Sequence, residues 1–202
     1  MSERWPADDA HTDAAAVRLR RGAVIVFPTE TVYGVGARAS DEKAVRRLYA
    51  VKGRPAAQPL VLLVSSIAEV EALALCDDRA HRLMSRFWPG ALTIVLPRRD
   101  AALTPAAAAG TTLAFRAPGH AVALRLLQAL AEPVASSSAN RAGAPPPLDA
   151  DAAQAALGPD VDLVLDGGPV PIGRPSTIVD LSGAALRVLR PGSISEAELL
   201  RS

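Results

Sequence analysis

The sequence is poor in several residue types, and each shortage excludes a class of protein. Cys76 is the single cysteine among 202 residues, so the chain can form neither an internal disulfide nor, by itself, a cysteine-rich zinc site. Aromatic residues make up 3% while half of the residues are hydrophobic, so Ala, Val and Leu must fill the interior. The 22 basic and 21 acidic residues nearly balance, and this charge does not indicate a nucleic-acid binder. Any RNA contact would need a local arginine patch.

Several motifs with known chemistry are missing as well. Neither lysine stands in a Walker A pattern, and no GxSxG elbow is present. The three histidines are scattered without metal-ligand spacing, which favours surface or capping positions over a metal site. The N-terminus lacks a signal-peptide pattern, and no apolar run approaches the roughly 18 residues that a membrane span needs. We therefore expect a cytoplasmic protein with no membrane contact.

Lysine itself is scarce, which makes Lys52 informative. Of the 22 basic residues only Lys43 and Lys52 are lysines, and Lys52 precedes Gly53-Arg54-Pro55. A compact ammonium at this elbow suits a phosphate or a small carboxylate. A helix that ends in a cation before a proline explains the same residues. The spacing alone leaves these two interpretations open.

Alternating strand and helix patterns predict an α/β fold with a mixed, twisted sheet in one domain. The buried strand Val24 to Phe27 leads into a polar turn with small residues, and an amphipathic helix follows Ser40. The other expected strands are Leu60 to Val64, Ala91 to Leu96, Thr111 to Arg116, Pro133 to Ser137, Val161 to Leu165, and the hairpin Thr177 to Leu181 with Leu186 to Leu189. The other expected helices are Thr12 or Asp13 to Arg21, one opened by a capping box at Ser66, Arg79 to Trp88, Val122 to Leu130, one capped by Asp149, and one opened by a capping box at Ser195. We expect residues 98 to 110 to form a surface loop with some helix.

Hydroxyls and fixed cations recur near the ends of these predicted strands. They are Thr29, Thr31, Lys52, Arg54, Thr112, Arg116, Ser136, Ser138, Asn140, Ser176 and Arg190. Each has a plain structural role available, because Ser and Thr cap turns and Arg covers apolar surface. Together they would line a cleft without a nucleophile or an acid–base pair. Such a cleft suits positioning and charge stabilisation, as phosphoryl or nucleotidyl transfer requires.

Several motifs occur in an order that resembles a known family. They are FPTETVYGVGA, KGRPAAQPL, FWPGALT, LAFRAPGH, SSSANRAG and LDGGP…IGRPSTIVDL…LRVLRPG, and they extend over residues 12 to 195. The chain is similar to the YrdC/TsaC family of threonylcarbamoyl-AMP synthases in its short form. This resemblance implies a single YrdC-like domain over residues 1 to 202, with a twisted mixed β-sheet, flanking helices and a concave central cleft. It also implies a nucleotidyltransferase that converts L-threonine, bicarbonate and ATP into threonylcarbamoyl-AMP and pyrophosphate.

The resemblance further implies roles for individual residues. Lys52 and Arg54 would be catalytic. The residues implied around ATP are Lys52, Arg54, Gln58, Thr112, Ser138, Asn140, Pro146 and Arg190, and those around threonine are Thr31, Arg116, Ser136 and Ser176. Magnesium is expected with the triphosphate, without a dedicated metal site in the protein. A downstream transferase complex would pass the threonylcarbamoyl group to tRNA, and a direct tRNA contact is conceivable. We expect Lys52→Ala or Arg54→Ala to abolish pyrophosphate release with the fold intact.

Two positions depart from the family pattern, and two alternative functions stay open. Gln58 stands where many relatives have Asn, and Leu63 stands where some longer relatives have His. One alternative is a non-catalytic, YciO-like RNA-binding module of the same fold, with Arg46, Arg47, Arg98 and Arg99 as its basic patch. The other is the carbamoyl-transfer domain of hydrogenase maturation proteins, which belongs to much longer chains.

Overall fold

The protein folds around one ten-stranded mixed sheet, seen in a computed structural model that describes residues 2–53, 58–99, 106–108, 110–199 and 201. The strands are β1 (Glu3–Pro6), β2 (Ile25–Phe27), β3 (Gly34–Arg38), β4 (Val61–Leu63), β5 (Leu92–Pro97), β6 (Thr112–Arg116), β7 (Val134–Ser138), β8 (Leu163–Asp166), β9 (Thr177–Asp180) and β10 (Arg187–Arg190). The helices are α1 (Asp9–Arg20), α2 (Glu42–Lys52), α3 (Ile67–Leu73), α4 (Asp78–Phe87), α5 (Ala121–Leu130), α6 (Ala150–Leu157) and α7 (Glu196–Leu199). A 3₁₀ turn, Gly158–Asp160, follows α6.

The sheet has the strand order β1-β8-β2-β3-β7-β4-β6-β5-β9-β10. Parallel pairs join β8 to β1 and β2, β4 to β6, and β5 to β9. Antiparallel pairs join β3 to β2 and β7, β7 to β4, β5 to β6, and β9 to β10. The expected α/β class, the mixed sheet and the final hairpin are therefore confirmed.

Two strands were not predicted from the sequence. The polar segment that forms β1 pairs with β8 at the edge of the sheet, where one partner suffices. The segment expected to be a polar turn contains β3, which pairs on both sides although it holds two glycines. A Cβ on Gly36 would lie 2.5 Å from Val134 Cγ1 and 3.2 Å from Phe27 Cε1. Glycine here lets two buried side chains meet over the strand, a packing need that β propensity does not reveal.

The two faces of the sheet bury separate apolar clusters. Successive residues of β2 alternate between them: Ile25 and Phe27 belong to the smaller cluster, and Val26 to the larger one. Helices α1 and α5 pack against each other and cover the smaller cluster. The apolar sides of α2, α4 and α6 fill the larger cluster with the small and aliphatic residues that the composition requires.

Helix starts follow the capping signals, with one shift. Asp41 accepts from Ala44 N and begins α2, while Ser66 and Asp149 cap α3 and α6 as expected. The expected start of α1 at Thr12 or Asp13 was wrong, because Asp8 accepts from His11 N and begins the helix at Asp9. Most of the predicted loop 98–110 lies outside the described residues. Among the helices of the described part, none has the length and apolarity to cross a membrane.

Candidate functional site

The ammonium of Lys52 points to the turn that follows β7. Lys52 is 3% exposed, and its Nζ donates to the carbonyl oxygens of Ser138, at 2.5 Å, and Asn140. Asn140 Oδ1 lies 3.4 Å from the same nitrogen. The C-terminus of α2 is thereby joined to the serine–asparagine turn, as the pairing of the two motifs predicted. Gly53 follows with φ of 59°, a left-handed helix end that glycine adopts without strain.

Asn140 organises the same turn from the other side. Its Nδ2 donates to the carbonyl oxygens of Arg141, at 2.9 Å, and Ala144, at 2.6 Å. A Lys52→Ala variant would leave the part-buried carbonyl of Ser138 and the buried carbonyl of Asn140 without this donor, which lowers stability. The expectation that Lys52→Ala keeps the fold intact stays a prediction.

A polar cavity of about 170 Å³ lies beside this turn. Its described lining residues are Thr29, Thr31, Val32, Gly34, Pro59, Val61, Leu63, Thr93, Arg116, Ser136, Ser137, Ser138, Pro175, Ser176, Ile178 and Arg190. The lining members of β4 and β7 share the sheet face that α1 and α5 cover elsewhere. The cavity therefore extends from β7 across β4 and β6 to β9 and β10.

The strand register sets the length of the cavity. Arg116 pairs with Leu63, which pairs with Val134 on the antiparallel strand β7. Ser138 stands four residues beyond Val134, which corresponds to about 13 Å along a strand. From the sequence we expected these polar residues near strand ends to line one cleft. Because β7 runs antiparallel to β4, the register places Arg116 and Ser138 at opposite ends of an elongated site.

Two arginines form one side of the cavity, which we call the guanidinium wall. Arg190 Nη2 donates to Ser176 O at 2.8 Å and to Ser176 Oγ at 3.2 Å. Burial, together with repulsion from Arg116, lowers the pKa of Arg190. The resemblance grouped Arg190 with the nucleotide residues, but the structure brings it next to Ser176 and Arg116. Two close guanidinium groups make this wall suited to a carboxylate, carbamate or phosphate group.

Two contacts with the protein fix the guanidinium group of Arg116. Its Nε donates to Gly90 O at 3.1 Å, and its Nη2 lies 2.7 Å from Glu30 Oε1. Glu30 and Arg116 have side chains 9% and 8% exposed, yet this ion pair is poorly aligned for a hydrogen bond. Both carboxylate oxygens of Glu30 lack a hydrogen-bond partner within the described part of the chain. In the same part, no contact engages Nη1 of Arg116, which leaves that nitrogen for a ligand.

His120 adds a third incompletely satisfied group nearby. It stands at the N-cap position of α5 without a side-chain capping bond, and its buried Nδ1 has no partner among the described residues. Burial lowers the pKa of His120, and the charge of Glu30 acts against this shift. The region near Arg116 therefore contains buried polar atoms that make no hydrogen bond to any residue described in the structure.

Thr31 and Ser136 form the other side of the cavity, which we call the hydroxyl wall. Both are buried. Ser136 Oγ donates to Val35 O at 3.0 Å, and Thr31 Oγ1 lies 3.0 Å from Thr29 Oγ1. Thr29 Oγ1 in turn donates to Val32 O at 2.6 Å. These hydroxyls are fixed by bonds to the polypeptide itself.

The structure distributes the predicted site residues between these features. The cavity walls contain Thr31, Arg116, Ser136, Ser138, Ser176 and Arg190. Lys52 and Asn140 lie behind Ser138, Gln58 is exposed beside the lining residue Pro59, and Pro146 belongs to the segment before α6. Thr112 lies four residues before Arg116, at the other end of β6. Arg54 lies outside the described residues. These roles stay predictions.

The site also contains residues to which the sequence assigned no role. Thr93 is buried in β5, and its Oγ1 lies 2.8 Å from Ser176 Oγ. A threonine in the otherwise apolar run ALTIVL was the available signal. Thr29 was expected among the cleft hydroxyls, but its partner depends on the shape of its own turn. The contact of Glu30 depends on the distant Arg116.

Other candidate groups are already engaged or absent. Arg46 pairs with Glu42 and Arg47 with Asp162, so they do not form a free basic patch. Arg98 donates to Ala108 O, and Arg99 donates to Ala74 O. Within the described residues no cluster of three or more His, Cys, Asp or Glu could hold a metal ion. None of the described lining residues is a carboxylate.

Fold and site together define an α/β protein with an elongated polar cavity lined by guanidinium and hydroxyl groups. Residues 17–192 match the family model Sua5/YciO/YrdC, described as telomere recombination. The chain belongs to this family.

Individual relatives are similar over most of the chain. It is 39% identical over 201 residues to a threonylcarbamoyl-AMP synthase of Bacillus subtilis, which covers 98% of this chain and 58% of that protein. The solved structure of Pyrococcus abyssi Sua5 complexed with L-threonine is 37% identical, with a TM-score of 0.93 over 100% of this chain and 59% of that one. Escherichia coli YciO is 27% identical, with a TM-score of 0.89 over 98% of this chain and 100% of that one. The chain thus spans about three fifths of the first two relatives.

Proposed function

We propose that the protein is a threonylcarbamoyl-AMP synthase, which condenses L-threonine, bicarbonate and ATP with release of pyrophosphate. The observation that carries the proposal is the elongated cavity with Arg116 and the hydroxyl wall at one end and the Lys52-held turn at the other. An amino acid joined to a nucleotide would match this cavity, with its carboxylate and amine at the Arg116 end and its phosphate at the end of the Lys52-held turn. Relatives named threonylcarbamoyl-AMP synthase and a relative complexed with L-threonine support the same activity.

In this proposal the threonine carboxylate binds the guanidinium wall. Arg116 is fixed by Glu30 and Gly90, so its free Nη1 needs no reorganisation to meet the ligand. The threonine amine lies against Thr31 and Ser136, whose oxygens accept its N–H groups. Holding two hydrogens directs the lone pair of the neutral amine toward the carbon of bicarbonate, where the C–N bond forms, a C–O bond breaks, and hydroxide leaves with one amine proton as water to give the carbamate. With carbon dioxide no bond to oxygen is lost as a leaving group, and the same amine proton passes to solvent.

The carbamate oxygen then attacks the α-phosphorus of ATP, and the bond to the pyrophosphate oxygen breaks. Arg54, Asn140 and Ser138 are proposed to surround the triphosphate. Lys52 would add a positive charge next to the turn whose carbonyl groups it contacts. Magnesium is proposed to accompany the triphosphate and to neutralise its charge, bound mainly through phosphate oxygens. The chain supplies alignment and charge stabilisation rather than a covalent intermediate.

The product would be an activated adenylate, which a downstream transferase complex passes to tRNA in the cytoplasm. Both steps are proposals, as is any direct tRNA contact. The similarity to YciO keeps one alternative, a non-catalytic RNA-binding module, because that protein shares the fold over its whole length. The engaged arginines 46, 47, 98 and 99 do not favour this alternative.

Pyrophosphate release tests the proposal. We expect release from ATP only when L-threonine and bicarbonate are both present, with loss of the signal when either is omitted. Mass spectrometry should detect threonylcarbamoyl-adenylate in the complete reaction. Release that does not depend on threonine would contradict the proposed substrate. Tight RNA binding without any pyrophosphate release would support the binding module instead.

A further inference from the structure

We infer that Thr29 selects the ligand by fixing the direction of the hydroxyl protons, so that the hydroxyl wall offers acceptors only. The inference rests on the proposed function for the identity of the ligand, but its evidence is the hydrogen-bond geometry around Thr29. Thr29 thereby acts as a positioning residue through Thr31, which contacts the ligand.

The single proton of the Thr29 hydroxyl has one available destination. Thr29 Oγ1 lies 2.6 Å from Val32 O, which can only accept, so the Thr29 proton is committed to that carbonyl. The backbone N–H groups of Thr31 and Val32 also approach Thr29 Oγ1, at 3.3 Å each. The oxygen of Thr29 has two lone pairs, and the two long N–H contacts at 3.3 Å can share one of them, which leaves the other for the closer Thr31 hydroxyl.

The direction of the Thr31 hydroxyl proton follows from that of Thr29. Its Oγ1 lies 3.0 Å from Thr29 Oγ1, and two buried oxygens at this distance need a proton between them. Because Thr29 has already donated its own proton, Thr31 must be the donor. Thr31 is buried and belongs to the cavity lining, so in this inference its oxygen presents only lone pairs to a ligand.

The hydroxyl of Ser136 is also left as an acceptor toward the cavity, through a different hydrogen bond. Its Oγ donates to Val35 O at 3.0 Å, a backbone acceptor that no substitution removes. Two neighbouring hydroxyls, which could in principle donate or accept, are thus both fixed as acceptors. A ligand amine with its N–H groups fits them, whereas a carbonyl at the same position would face two lone pairs. The wall therefore distinguishes an amino acid from the corresponding α-keto acid.

Replacing Thr29 by Val keeps the shape and removes the acceptor. No other acceptor for the Thr31 proton exists among the described contacts, so this proton would turn into the cavity. Calorimetric titration of the whole chain should show L-threonine binding weakened about tenfold, the worth of one hydrogen bond to a charged group. Binding of the α-keto acid of valine should strengthen in the same variant, since its carbonyl gains a donor. Thr29→Ser, which keeps the hydroxyl, should restore the wild-type order of the two ligands.

The opposite shifts of the two ligands separate this role from a structural one. A Thr29→Val variant that is merely misfolded or loosened would weaken both ligands together, and this result would overturn the inference. Equal binding in Thr29→Val and Thr29→Ser would overturn it as well. Because binding is measured without turnover, the test stands even if the pyrophosphate assay fails. A failed assay with the opposite shifts intact would reject the proposed reaction and keep the role of Thr29.

Discussion

The hydroxyl wall and the guanidinium wall face the same cavity but differ in how completely the protein satisfies them. Around Thr31 and Ser136 every described hydroxyl proton has an acceptor within the chain. Behind Arg116, by contrast, Glu30 and His120 retain buried atoms without hydrogen bonds, and Arg190 is repelled by Arg116. The first wall is complete without a ligand, whereas the second needs an anion to balance its charge.

This difference assigns different tasks to the two walls. A charged group that is incompletely paired gains the most from a ligand carboxylate, so the guanidinium wall supplies affinity. A hydroxyl wall whose protons are fixed supplies less affinity than the guanidinium wall and rejects ligands with the wrong hydrogen-bond polarity. Substitutions on the guanidinium side should therefore have the larger effects.

Arg116→Met should have the largest effect on activity, because it removes the guanidinium and keeps most of the side-chain length. Charge-assisted hydrogen bonds contribute about 1.5–3 kcal/mol each, so two of them correspond to a loss of about 1,000-fold in kcat/KM for threonine. This loss in kcat/KM is measured by pyrophosphate release at varied threonine concentrations. Arg125→Met, which removes an exposed arginine paired with Asp9 and Asp13, is the matched control.

The variant Arg116→Met also leaves Glu30 without its counter-ion. The double variant Arg116→Met with Glu30→Gln removes that charge and should be as inactive while recovering stability. If the double variant regains threonine-dependent turnover, Arg116 does not bind the carboxylate. The guanidinium wall would then not be the part of the cavity that supplies affinity for the carboxylate.

The sequence predicted these elements unevenly, for physical reasons. Apolar periodicity and capping residues are local, so α2, its buried stripe and the caps at Ser66 and Asp149 were foreseen. The strand β3 was missed because its glycines serve the packing of Phe27 against Val134, which is a tertiary contact. Local signals locate a helix, but they do not report which distant side chains must meet.

The site was predictable in composition but not in arrangement. Seven of the hydroxyl and cationic residues selected from the sequence line the cavity, since such residues are scarce in apolar strands. Their order along the cavity depends on strand direction, and no local pattern showed that β7 runs antiparallel to β4. The grouping of Arg190 with the nucleotide came from the resemblance and stays a prediction, whereas the carbonyl contacts of Lys52 depend on a tertiary approach that no local pattern reports.

Glu30→Gln should have the next largest effect, and on stability rather than on chemistry. Removing one partner of a buried ion pair costs about 3 kcal/mol or more, because Arg116 stays buried without a counter-ion. The melting temperature should fall by about 6–12 °C in a chain of this size. Glu42→Gln, which breaks the exposed pair with Arg46, should change the melting temperature by about 2 °C at most.

L-threonine should raise the melting temperature of Glu30→Gln more than that of the wild type. Equal melting temperatures of Glu30→Gln and the wild type would show that the pair does not balance the guanidinium wall.

The smallest effect concerns His120 and appears only as a pH dependence. Burial lowers the pKa of His120 below the ordinary value of 6.5, so the unfolded chain binds the proton more tightly than the folded one. Stability should therefore be full above that value and fall as the pH drops through 6.5 toward the lowered pKa of the folded state. Melting curves between about pH 7.5 and 5.5 should decline less steeply for His120→Gln than for the wild type.

The slope is the useful quantity in this experiment, because α5 begins at His120 and any substitution there changes the helix end itself. His81→Gln, which replaces an exposed imidazole beside Glu71, is the matched control and should follow the wild-type decline. Glu30 opposes the shift at His120, so Glu30→Gln should steepen the decline further. Parallel slopes for the wild type and His120→Gln would mean that His120 gains or loses no proton on unfolding. The incomplete hydrogen bonding behind Arg116 would then be confined to Glu30, and His120 would lie outside the charged wall.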